Sequence, residues 1–530
     1  MDSHRVLIYD TTLRDGAQAE EISFSLDDKL RITEALDEFG VHYVEGGWPG
    51  SNPRDAAFFK EAAKLKLRHA KIAAFGATHH PKNKPADDPN VRLLLHAKTP
   101  VVTVVGKTWD MQATRVLGVS HERNLELIHG TIAYLARRVD EVIFDAEHFF
   151  DGYKANPDYA LAAARAALEA GAHLICLCET NGGALPHEVE DITRAAVAAF
   201  PKARFGIHCH NDSDNAVANA LAGVRAGARQ AQGTISGVGE RCGNANLCSI
   251  IPNLQLKMGY RCVPERSLVK LTWLSGLIYE LANVSPRAHQ PYVGKSAFAH
   301  KGGIHVAAVR KTAKSYEHVT PETVGNQRRV LVSDLAGRGN ILAKAEEFGM
   351  DLTGKDDQTR AILDQLKSLE AEGYVFEGAD ASFELLMRKA TGQWKKKFQV
   401  ARARVVSNFS DMAGANFAEA VVKLVMPDGA TTHAVAEGNG PVNALDKAIR
   451  QALVQHYPEV ATVELHDFKV RLLDERSKTA AVTRVLIESG DGETRWSTVG
   501  VSANVIEASW QALIDSLEYK LQKSPRRKKP

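Results

Sequence analysis

A chain of 530 residues is too long for one ordinary domain, and 25% charged with 44% hydrophobic residues describes a globular protein with ample core. The formal net charge of +2 gives no electrostatic argument for nucleic acid, and no apolar run approaches the ~18 residues of a membrane span. Six cysteines at this length are not a disulfide framework, and the opening MDSHRVLIYD carries no basic-then-apolar signal, so a cytoplasmic protein is expected.

The first half of the chain repeats one theme: a short apolar run, polar residues, then an Ala/Leu-rich helical stretch. The strand candidates are residues 5–10, 41–47, 70–77, 100–107, 140–148, 172–180, 203–210 and 228–235. Their near-continuous apolar character implies burial on both faces, and the intervening helices imply parallel crossovers. In the first helix Ser25 is the expected N-cap, Asp27 and Asp28 suit the positive end of the dipole, and Gly40 ends the helix. Eight such units over residues 1–275 predict a (β/α)8 TIM barrel. A doubly wound sheet is disfavoured because no glycine-rich dinucleotide turn follows the first strand. Cys176, Cys178 and Cys209 sit in apolar runs and read as core thiols.

Residues 276–396 read as mainly helical linker subdomains. Residues 397–523 read as an α+β domain in which a strand, an Asp-Gly turn, a strand and a helix recur twice, a duplicated ββα unit suited to binding or dimerisation. The basic end, 524–530, reads as a disordered tail.

Functional residues of a barrel lie at the C-terminal ends of its strands. There the sequence places DTTLRDG, EGGWPGSNP, FDAEH, CETNGG, HCHND and TISGVGERCGNANL. His208 and His210 share one face of their strand while Cys209 points away, so the pair is a natural half of a divalent-metal site. Asp15 and Asn244, at other strand ends, are the candidate oxygen donors, giving an N2O2 set with room for a chelating substrate. The alternative is a pair of ordinary histidines, in the core or on the surface.

DTTLRDGAQ, HCHND and GERCGNANL resemble the signature segments of the metal-dependent barrel family that holds the 2-isopropylmalate, homocitrate and citramalate synthases. EGGWPGSNPRDAAFF, SAFAHKGGIHVAAV and the C-terminal region extend that resemblance over essentially the whole chain. It implies a divalent metal, Mg2+ or Mn2+ with Zn2+ as the alternative, on Asp15, His208, His210 and Asn244. It implies an acyltransferase that condenses acetyl-CoA, as co-substrate, with a small 2-oxoacid. Arg14 would stabilise the developing alkoxide, and Glu147 would assist proton removal from the acetyl methyl. Thr180 would bind the substrate carboxylate; Glu179 stands where the family usually has Asp. For Glu147 the alternative is a strand-end salt bridge.

His305 and Tyr316 match residues that these synthases supply from the linker of the partner subunit, so a homodimer is implied. Pyruvate is the preferred acceptor and 2-oxoisovalerate the alternative, which would place the product on the isoleucine or the leucine branch. Trp48 would be a bulky wall favouring the smaller acceptor, or else plain packing. The C-terminal domain would bind isoleucine as a feedback inhibitor, or serve dimerisation alone. A related lyase and a non-catalytic metabolite sensor are the rival readings. The lyases carry a cysteine-bearing GGCP-like loop where this chain has GVGERCGNA, and a degenerate sensor would be expected to have lost one of these site residues.

Overall fold

The computed structural model describes residues 4–333, 335–409, 417–473 and 480–523. They divide into two compact units, residues 1–298 with 319–328 and residues 299–318 with 329–530. The predicted basic tail and the segments 410–416 and 474–479 lie outside the described residues.

In the first unit eight parallel strands close on themselves: β1 (Leu7–Asp10), β2 (Tyr43–Gly47), β3 (Lys71–Ala77), β4 (Val101–Lys107), β5 (Glu141–Glu147), β6 (Leu174–Glu179), β7 (Phe205–Cys209) and β8 (Gln230–Gly233). Closure is made by β8 on β1, in register from Leu7↔Gln230 to Asp10↔Gly233. Every strand falls inside its predicted run and is one to four residues shorter. The ends of the apolar runs belong to the loops that carry the polar motifs.

The helix α1 (Leu26–Phe39) shows how local sequence fixes the scaffold. The Ser25 hydroxyl accepts from the Asp28 backbone N–H at 3.2 Å, and the Asp28 carboxylate accepts from the Ser25 N–H at 2.9 Å. This reciprocal cap is worth about 1 kcal/mol. At its far end Gly40 adopts a left-handed φ of +97°, and a Cβ there would lie 2.5 Å from the Pro264 ring, so glycine is required twice over.

Two cores follow from strand alternation. Outward residues such as Ile8, Val44, Val104, Phe144, Ile175 and Ile207 pack under the helices, each contributing ~1.5–3 kcal/mol. Inward residues fill the barrel with Tyr9, Tyr43, Ala73, Val101, Ile143, Cys176 and Cys178. Above this plug the interior turns polar, which puts the chemistry at the C-terminal mouth.

In the second unit a two-strand parallel ladder joins β9 (Ala299–His300) to β10 (Arg329–Val330). The helix Gly303–Lys311 lies between these two strands in sequence, and the helices Arg338–Glu347, Asp356–Ala371 and Asp380–Ala390 follow them. Two three-stranded antiparallel sheets follow: β11 (Gln399–Asn408), β12 (Phe417–Val425), β13 (Thr431–Gly438), and β14 (Glu464–Leu472), β15 (Thr483–Gly490), β16 (Arg495–Ser502). The helix Pro441–Val454 follows the first sheet and the helix Val505–Lys523 the second. The predicted duplication is present, but each copy is βββα, not ββα. The strands missed, β11 and β14, lie at sheet edges and are largely exposed, so Arg and Lys dilute their apolar alternation and both carry a register shift. In the first copy Ala418, Ala420, Val422 and Leu424, two residues apart, pack on Ala444, Leu445, Ala448 and Ile449 of its helix. Among the described residues no helix is long and apolar enough to cross a membrane.

Candidate active site

The DTTLRDG loop after β1 is tied into the barrel by its own polar residues. Asp10 is fully buried and accepts from both the backbone N–H and the hydroxyl of Thr12, at 3.0 and 2.9 Å. Thr12 Oγ1 then accepts from the Ile235 N–H at 3.0 Å, and Thr11 N donates to Gly233 O at 2.8 Å. The loop after β1 is thereby stapled to the loop after β8. Burial pushes the Asp10 carboxyl up to about 7 against the opposing pull of its Thr12 bonds.

This staple presents Asp15 to the two histidines. The Asp15 carboxylate and the imidazoles of His208 and His210 offer ligand atoms that all lie within 4.8 Å of one another, and all three residues are buried. His208 Nε2 is 3.3 Å from His210 Nε2 and 3.4 Å from Asp15 Oδ2. Burial raises the Asp15 carboxyl, but Arg14 and the histidines overcome it and hold the group well below the usual carboxylate range. His210 is pushed down to about 3 by burial and by the neighbouring His208. Asn244 faces His210 across a short antiparallel bridge, and its buried Oδ1 has no hydrogen-bond partner. A carboxylate, two converging ring nitrogens and an orphaned amide oxygen are donors of the kinds that could hold a divalent cation. A second group of donors, Asp145, Cys176 and Cys178, is buried in the barrel plug. Burial keeps its thiols protonated, raising Cys178 to about 11 despite its contact with Cys176, so they serve as packing.

Arg14 lies beside these donors. Its Nε donates to Glu45 Oε2 at 2.6 Å, its Nη1 is 3.2 Å from Asp15 Oδ2, and its guanidinium sits 3.9 Å from the centre of the Phe75 ring. Glu45 is wholly buried on β2 and accepts also from Tyr9 OH at 2.8 Å, while Thr103 Oγ1 donates to the same tyrosine at 2.7 Å. The guanidinium plane is thus gripped on one edge and stacked on one face.

Glu147, at the end of β5, forms an ion pair with Lys107 at the end of β4, so the predicted strand-end salt bridge is present. Both groups remain about a quarter exposed, and the pair faces solvent at the barrel mouth. Thr180 Oγ1 accepts from the His148 N–H at 2.9 Å, leaving its own hydrogen free to donate. Glu179 turns away from it: its Oε1 accepts from the Gly183 and Ala184 N–H groups at 3.1 and 3.2 Å, holding the CETNGG loop. The longer carboxylate is therefore a backbone cradle.

Trp48 donates from Nε1 to Asn90 Oδ1 at 2.6 Å and meets the Phe75 ring edge-on. It packs, yet it also walls a cavity of about 480 Å3 with Leu13, Arg14, Phe24 and Phe75. A second cavity of about 500 Å3 opens beside Asn244, lined by Ser236, Arg287, His289 and Tyr292 among others. His305 and Tyr316 belong to the second unit, where their rings stack at 4.2 Å and both are exposed.

The structure adds Glu45, Lys107 and Gln232 to the residues read from sequence. Glu45 and Lys107 are charges in otherwise apolar strands, a visible signal. Gln232, in the bland run ARQAQGTI, gave none.

A protein-family model described as HMGL-like matches residues 5–275, one described as homocitrate synthase post-HMGL domain-like matches 292–374, and one described as LeuA allosteric (dimerisation) domain matches 377–521. The chain is 53% identical to an (R)-citramalate synthase of Aquifex aeolicus over 98% of both chains. It is 56% identical to the (R)-citramalate synthase of Geobacter sulfurreducens, again over 98% of both. A probable 2-isopropylmalate synthase of Methanopyrus kandleri is 31% identical over 96% of this chain and 97% of its own.

Proposed function

Because the chain belongs to the (R)-citramalate synthase family, we propose that it condenses acetyl-CoA with pyruvate and hydrolyses the resulting thioester, releasing citramalate and CoA. The observation that carries this is the mouth of the barrel, where an ionised Asp15, His208, His210 and the orphaned Asn244 amide converge beside a fixed guanidinium.

These four residues would hold a divalent metal, Mg2+ or Mn2+ by its mixed oxygen and nitrogen donors, and that ion supplies Lewis acidity to a 2-oxoacid. Arg14 carries its positive charge to the keto oxygen and stabilises the negative charge that develops there, in an orientation set by Glu45 and Phe75. Thr180 donates its free hydrogen to the substrate carboxylate. Glu147 takes a proton from the acetyl methyl once substrate binding draws Lys107 off it. The enolate carbon bonds to the keto carbon, the alkoxide is protonated, and water then splits the thioester into carboxylate and thiol. His305 and Tyr316 would be supplied by the partner of a homodimer to complete proton transfer. The second cavity has both Arg287 and Asp214 in its wall, and the Arg287 guanidinium would meet an anionic co-substrate there.

Pyruvate is preferred because identity falls from 53–56% for the citramalate synthases to 31% for the probable 2-isopropylmalate synthase, and Trp48 narrows the cavity beside Arg14. The C-terminal unit is proposed to bind isoleucine as a feedback inhibitor. CoA release from acetyl-CoA, with pyruvate or 2-oxoisovalerate, with Mn2+ or EDTA, tests the reading. Metal-dependent release preferring pyruvate supports it. Preference for 2-oxoisovalerate refutes the acceptor, and no release with either refutes the synthase.

A further inference from the structure

Two imidazoles share the metal group, but the barrel treats them differently. His208 Nδ1 lies 3.0 Å from Gln232 Oε1, whereas His210 Nδ1 is buried without any hydrogen-bond partner. Gln232 is itself wholly buried on β8, facing inward beneath the metal group, and its register partner on β7 is His208. Its amide nitrogen sits between two oxygens, donating to Asp145 Oδ1 and to Gln230 Oε1, each at 3.2 Å. A side-chain amide whose nitrogen is engaged by two acceptors must present its oxygen in the opposite direction. That direction is His208 Nδ1, which therefore carries a proton, so Nε2 is the ring nitrogen turned toward Asp15 and His210 that would bind an ion.

We propose that Gln232, oriented by Asp145 and Gln230, is a positioning residue that fixes His208 in the Nδ1–H tautomer and so presets one ring nitrogen for the metal. The inference rests on the metal-site reading above. A neutral amide does this without placing another anion directly against the ligand shell. The bond also fixes the plane of the ring, because Gln232 and His208 stand side by side on hydrogen-bonded strands. His210, with no such partner, keeps freedom to turn as the ion enters. One histidine is preset and its neighbour adapts.

The test is Mn2+ binding by metal-stripped full-length protein, read from the free-ion EPR signal. Gln232→Met keeps the length and removes the acceptor, and it is expected to weaken Mn2+ binding 10–100-fold, the usual loss when a ligand histidine is deprived of its partner. Gln232→Glu restores an acceptor at the same position and is expected to stay within threefold of the parent or to bind more tightly. Should that carboxylate prevent folding beside Asp145, the double variant Gln232→Glu with Asp145→Asn takes its place. Loss in the Met variant with recovery in the Glu variant supports the proposal. Binding by the Met variant within threefold of the parent overturns it. Equal loss in both variants also overturns it, because packing and not the acceptor would then matter. A parent that binds no Mn2+ refutes the metal-site reading itself.

Discussion

Replacing Glu45 by Gln isolates what holds Arg14 in place. The carboxylate is wholly buried and accepts two hydrogen bonds, from Arg14 Nε at 2.6 Å and from Tyr9 OH at 2.8 Å. Gln keeps the volume and leaves an oxygen for one of them. Its NH2 group then faces the Tyr9 hydroxyl, which can accept from it and donate to Thr103 Oγ1, so the bond to Arg14 becomes a neutral one and the guanidinium loses its nearest counter-charge. Breaking a buried ion pair from one side costs ~3–5 kcal/mol. Here the low end, about 3 kcal/mol, is expected, because Arg14 retains Asp15 at 3.2 Å and its side chain is 15% exposed. The catalytic loss should be larger than a stability loss alone explains, because a guanidinium released from Glu45 is no longer aimed. A fall in kcat of ~100-fold or more, at saturating metal and pyruvate, matches removal of one preorganised oxyanion donor. The assay pairs CoA release with guanidinium denaturation of the first unfolding transition, and Glu45→Asp serves as the charge-preserving comparison. If Glu45→Gln keeps kcat within threefold while stability falls, Arg14 does not owe its orientation to Glu45 and the reasoning fails.

Trp48→Phe removes the indole that bonds Asn90 and walls the cavity beside Arg14, and it should raise kcat/KM for 2-oxoisovalerate relative to pyruvate by ~10-fold. An unchanged ratio would assign Trp48 to packing alone. Lys107→Met frees Glu147 from its ion pair and should change kcat/KM for acetyl-CoA at least threefold, and an unchanged value would leave the pair without a part in proton removal. His42, which accepts from the Ile8 N–H at 3.0 Å, is pushed down to about 4, chiefly by burial. A depressed histidine is neutral in both states above pH 6.5, so the stability it contributes is full there and is lost as pH falls from 6.5 to 4, by about 3 kcal/mol. His42→Gln should flatten that acid limb of the melting curve, and an identical limb in parent and variant would contradict the assignment.

The barrel was legible because its strands are apolar on both sides and each closes on polar punctuation, as in DEVIFDAEH and ARFGIHCH. The cluster of Asp15, His208 and His210 was legible for the same reason: the two histidines break an apolar run two residues apart, and Asp15 lies in a motif dense in charge. What escaped were residues whose meaning lies in a partner brought near by the fold. Gln232 is unremarkable until β8 lies against β7, and Glu45 reads as a stray charge until Arg14 and Tyr9 reach it. Strands β11 and β14 were hidden by the opposite cause: exposed edges need no apolar signature, so their sequences carry little.

The staple between the loops after β1 and β8 also sets an order of events during synthesis. Thr11 and Thr12 bond Gly233 and Ile235, more than 220 positions later in the chain, and Asn244 follows later still. On a ribosome that adds about 5–20 residues each second, the N-terminal strand waits on the order of ten seconds or more for the partner that completes the ring. Until then Asp15 has no histidine to face, and the proposed metal group is incomplete. If that group holds an ion, uptake by a growing chain would be a late signal, timed to the emergence of the eighth strand, and cation release on unfolding would mark the moment the ring opens.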